Sequence, residues 1–90
     1  MPPKPPKPDP EALAIMALGF LASEPTRISR FLDLTGIEPS GLRQAAAEPH
    51  FLASVLDHLL NDESLLLAFA SEQNQRPDAI AEARRMFGDV

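Results

Sequence analysis

The chain has ninety residues, a formal net charge of −5 and no cysteine. That length holds one domain, the missing cysteines rule out disulfide staples and thiolate metal sites, and the acidic balance disfavours phosphate-rich partners. Thirteen Leu and thirteen Ala stand against eight Val, Ile and Thr together, so helix formers dominate and the expected fold class is all-α.

Residues 1–10, "MPPKPPKPDP", carry six prolines and are expected to form a disordered, Pro/Lys-rich tail over 1–9 with polyproline II character. Pro2-x-x-Pro5-x-Lys7 fits a loose pattern for aromatic-lined grooves, but any run of Pro and Lys produces it. The domain proper is expected over residues 10–90.

Five prolines then punctuate the chain at Pro10, Pro25, Pro39, Pro49 and Pro77, each followed three residues later by Leu or Ile: Leu13, Ile28, Leu42, Leu52 and Ile80. Proline is tolerated at the first helical position, where its missing N–H has no partner to lose. The residue three further on makes the first core contact. The prolines therefore mark helix starts. The first helix is predicted over 10–22, with Asp9 as its N-cap. Its apolar run "ALAIMALGFLA" has eleven residues, short of the roughly 20 needed to span a bilayer. Asp9 and Glu11 cancel Lys4 and Lys7 and argue against a secretory leader. The expected location is cytoplasmic, with no membrane partner.

The second helix is predicted over 25–35 and the third over 39–47, with "LDLTGIEPSGL" between them. Gly36 reads as the left-handed residue closing one helix, and Ile37 as an apolar plug with Leu32 behind it and Leu42 ahead. Leu32, Gly36, Ile37 and Leu42 thus form a structural corner. The same stretch resembles a helix-hairpin-helix, which grips DNA phosphates. That motif needs a second glycine where Glu38 stands, and a carboxylate there repels phosphate.

A fourth helix is predicted over 49–60, a fifth over 62–73 and a sixth over 77–87, ended by Gly88. No Gly or Pro separates the fourth from the fifth. A break is nevertheless expected, with Asn61 as N-cap and Asp62 and Glu63 in the first turn. Five to six short helices on tight connections favour a compact orthogonal array. In the fifth helix, Leu65, Leu66 and Leu67 sweep about 200° of helix surface, more than one buried stripe uses. Either this helix is enclosed by the others, or one leucine is left for a partner, rimmed by acidic residues such as Glu63 and Glu72. Those five residues form the candidate partner surface.

Chemistry is sparse. His50 and His58 lie eight apart, about 80° around a helix, and do not make an i, i+4 metal pair. Asp57, His58, Asp62 and Glu63 read as a solvated helix junction. Ser54 precedes His58 by one turn without an orienting third group. No catalytic, cofactor or metal site is expected.

The features "ALGFLASEP", "RFLDLTGIEPSGLR" and "FLASVLDHLLNDESLLLAFA", spanning residues 17–70, are similar to a small, mainly alphaproteobacterial family, domain of unknown function 3572. The resemblance implies a small helical bacterial protein and carries no activity with it. The expected function is a non-catalytic protein–protein interaction or adaptor domain, binding an unknown protein or weakly binding itself. The competing reading is a nucleic-acid accessory module using the 36–39 corner with Arg27, Arg30 and Arg43.

Overall fold

The computed structural model describes residues 9–88. The expected Pro-rich tail lies outside the described residues, apart from Asp9. Among the described residues the chain forms six α-helices and no strand: α1 (Pro10–Ala22), α2 (Pro25–Thr35), α3 (Leu42–Ala45), α4 (Pro49–Leu60), α5 (Glu63–Glu72) and α6 (Pro77–Met86), with a 3₁₀ turn over Pro39–Gly41 leading into α3. The result is a compact helical array.

All five marked prolines begin helical segments. Leu13, Leu52 and Ile80 are fully buried, while Ile28 and Leu42 are half-buried against the same core. Asp9 caps α1 as expected, its carboxylate accepting from the backbone N–H of Glu11 at 3.0 Å and of Ala12 at 3.2 Å. Gly36 closes α2 in the left-handed region, φ 74°, with its N–H donating to the Leu32 carbonyl at 2.8 Å. A Cβ at that φ crowds the following carbonyl oxygen, so glycine is favoured there.

Two boundaries depart from expectation. The third helix is not continuous over 39–47. It is one 3₁₀ turn followed by a single α turn, with no residue fully buried. Gly41 interrupts it and Glu38 makes no side-chain cap, so a segment this short gains too little to offset its nucleation cost. The break between α4 and α5 is present, but Asp62 caps α5, not Asn61. Asp62 is extended, φ −136° and ψ 98°, and its carboxylate accepts from Leu65 N–H at 3.2 Å. Asn61 stays αR and closes α4. A carboxylate at that point also meets the positive end of the helix dipole. The end of α5 falls within a residue of the expected 73: Glu72 is its last residue and Gln73 its C-cap, Asn74 beyond it is left-handed, φ 53°, and Gln75 N–H reaches back to the Ala70 carbonyl at 2.8 Å.

The centre of the molecule is the pair α1 and α4. α1 packs on α4, α6 and α2, and α4 also packs on α5 and α6. α4 buries Phe51, Leu52, Ala53, Val55, Leu56 and Leu59. From α1 come Leu13, Ala14, Ala17, Phe20 and Leu21, and from the outer helices Phe31, Phe69, Ile80 and Ala83. The aromatic rings lock edge to face: Phe20 on Phe69 at 5.3 Å and Phe31 on Phe51 at 5.7 Å between centroids. Each large side chain buried in this way contributes about 1.5–3 kcal/mol. Arg84 on α6 donates to Asp57 on α4 at 2.8 Å. Both groups are partly exposed, so solvent screening holds this pair to about 1 kcal/mol or less.

Candidate interaction surface

The leucine run of α5 is divided. Leu65 and Leu66 are half-buried against the core, and Leu67 is 48% exposed. Glu63, one turn before Leu67, is exposed, as is Glu72. α5 is therefore not the central helix; α4 buries the most residues. A single exposed leucine is ordinary on a protein surface.

The corner is built from Leu32, Ile37 and Leu42, which are all half-buried against the core. They line a shallow groove with Gly36, Asp33 and Glu38. Both charged groups on this groove are acidic. The three arginines of the nucleic-acid reading are dispersed. The Arg27 guanidinium lies 4.4 Å over the Phe20 ring. Arg30 lines a recess with His58 and Asp62, and Arg43 faces the α1 side of α3. No common phosphate-facing cluster forms from them.

The residues singled out for chemistry have structural occupations. Asp57 pairs with Arg84 and Asp62 caps α5. Ser54 Oγ donates to the Phe51 carbonyl at 2.6 Å. His58 stacks edge-on against Phe31 at 5.1 Å. Burial of its ring, helped by the Arg30 charge and opposed by Asp62, lowers its pKa below the ordinary 6.5. His50 is exposed. Among the described residues no three His, Asp or Glu side chains converge as a metal site would require.

A contiguous unpartnered apolar surface lies elsewhere, on α1. Its sequence is apolar on every side. One face is buried by Leu13, Ala14, Ala17, Phe20 and Leu21. On the other, Ile15 is 49% and Met16 36% exposed, and Ala12, Gly19 and Ala22 are exposed with them. Beside this face, Leu18, Gly19 and Ala22 form one wall of a groove whose other wall is Leu42 and Ala46, with Arg43 at its edge. A Cβ built on Gly19 meets nothing within 4 Å, so no packing inside the chain requires glycine at that position. The eleven-residue run at 12–22 carried the signal for this surface, because a helix apolar all round is either enclosed or has one face to share.

A family model described as "Protein of unknown function (DUF3572)" matches residues 7–90. The chain belongs to this family. The match extends well beyond the 17–70 stretch on which the resemblance was seen and takes in every helix. No curated protein and no solved structure matches the chain. Among the described residues no helix is long and apolar enough to cross a membrane.

Proposed function

We propose that this DUF3572 chain is a non-catalytic protein–protein interaction domain that makes contact through the outer face of α1. One observation carries the reading: α1 is apolar on all sides, yet the fold covers only one of them. Leaving Ile15 and Met16 in water forgoes the roughly 25 cal/mol per Å² that their burial would return. A contiguous exposed apolar strip on a small domain marks a contact site more often than scattered single residues do. The leucine run of α5 supplies less, because only Leu67 stands clear of the core.

The test is site-specific photo-crosslinking in the native cell. A photoreactive residue at position 15 or 16 should give a discrete adduct, and one at position 67 should not. Absence of any adduct from either α1 position, in a chain that remains folded, would sink the reading. An adduct whose mass is twice that of the chain would identify the partner as a second copy.

A further inference from the structure

Three modes of peptide recognition could use an apolar surface: strand addition, polyproline docking and a helix laid in a groove. The first needs an exposed sheet edge, and the described residues contain no strand. The second needs aromatic rings to stack on the prolines, and no ring lines the groove between α1 and α3. The third fits. Ile15, Leu18 and Ala22 stand one above another on α1, a line of about 10 Å over two helical turns. That is the reach of apolar anchors at i, i+4 and i+7 on an opposing helix. Gly19 sits in the middle of this line with open space above it, and small residues there let a second helix backbone come close.

The charge on the groove is also specific. In a chain of net charge −5, the one charged side chain lining this groove is a cation, Arg43. Arg43 is exposed, and it shares no hydrogen bond or ion pair with any described residue. The neighbouring corner groove, which shares Leu42, is edged by Asp33 and Glu38 instead. An acidic group on an occupant therefore matches the α1 side and is repelled from the other.

Resting on the reading of α1 as the contact face, we infer that the α1–α3 groove receives one amphipathic helix of a partner protein, apolar where it enters the groove and acidic where it passes Arg43. The α3 wall of this groove rests on the core through half-buried Leu42, Ala45 and Ala46.

The probe is a displayed library of 15-residue helix-forming peptides, apolar at i, i+4 and i+7 and carrying either Glu or Lys on the flanks, selected against the full chain. Glu-flanked peptides should be enriched. Arg43→Glu should weaken the selected peptides by about tenfold and turn the selection toward Lys, as expected for reversal of a contact charge. Gly19→Leu should abolish binding by filling the groove, with the circular dichroism unchanged. Gly19→Ala serves as the folded control, with partial loss. Enrichment of Lys-flanked peptides, or of none, overturns the inference, as does binding that ignores both Gly19→Leu and Arg43→Glu. Self-association abolished by Gly19→Leu also overturns it, since a second copy would then hold the groove. Crosslinks from position 15 without any enriched helix would leave α1 as the contact face and remove only the acidic helix.

Discussion

Replacing Gly19 with alanine should stabilise the isolated chain. Gly19 is in the middle of α1 and exposed. It has no left-handed φ, and an added Cβ meets nothing within 4 Å. The substitution therefore brings no clash and leaves only the change in helix propensity. Glycine is worse than alanine in a helix interior by about 0.5–1 kcal/mol, mainly through the backbone freedom it loses on folding. For the eighty residues over 9–88, the unfolding entropy near 60 °C is about 0.17 kcal/mol/K, so the melting midpoint should rise by about 3–6 °C. Circular dichroism melts of the two proteins measure this, with urea titration as a second readout. Gly36→Ala is the contrasting control. At φ 74° the added Cβ strains the backbone and should cost about 1 kcal/mol or more. If Gly19→Ala leaves the midpoint unmoved or lowers it, something already abuts Gly19 in solution, and the open groove would be the wrong description. Melts at low and high protein concentration would then show whether the occupant is another copy.

Ile37→Asp should lower stability by about 1–3 kcal/mol by placing a charge in the half-buried corner, whereas exposed Arg43→Ala should stay within about 0.5 kcal/mol; equal urea midpoints for the two would refute the corner. Asp62→Ala should cost about 1 kcal/mol through loss of the α5 cap, and Asn61→Ala much less; the reverse order would return the cap to Asn61. His58 is harder to protonate in the fold than in the unfolded chain. Between its lowered folded pKa and the ordinary 6.5, the unfolded chain therefore binds more proton, and stability falls as pH drops below 6.5. Below the folded pKa that loss is complete. His58→Gln should flatten this part of the pH profile, and a ring titration by NMR with a midpoint above 6.5 would contradict the argument.

Much of the architecture was legible in residue order because its signals are local. A proline at a helix start fixes φ and sacrifices nothing, so five starts could be read directly, and Gly36 and Gly88 marked two stops. The stop of α5 fell within a residue of 73, but the residue that makes it, Asn74, is the second choice for left-handed backbone and in a sequence looks like any polar residue. Asn61 and Asp62 are both good N-caps, and only the conformation each adopts separates them. The third helix failed because a proline start promises nothing about length, and Gly41 comes two residues later. Which helix occupies the middle was not legible. Leu65–Leu67 and residues 12–22 carry the same excess of apolar surface, and spacing alone cannot say which excess the other helices will cover. The candidate site inherits that gap: the reasoning applied to the leucines of α5 holds with more force for Ile15, Met16 and Gly19, whose exposure depends on where α2, α4 and α6 pack.

Four of the five junctions between α-helices contain a proline, and the 60–63 junction does not. Elsewhere, fusing two helices would force proline into a helix interior at about 3 kcal/mol, with its preceding residue turned against its own preference. At Asp62 the local obstacle is one cap, about 1 kcal/mol. A straightened 49–72 segment would be a rod about 36 Å long, carrying Phe69, Ile80 and Ala83 away from the core that buries them. The bend is thus enforced from a distance, by side chains that lie far along the chain. Cut out as a peptide, residues 49–72 lose that enforcement, and local preference and native shape part company at a single residue.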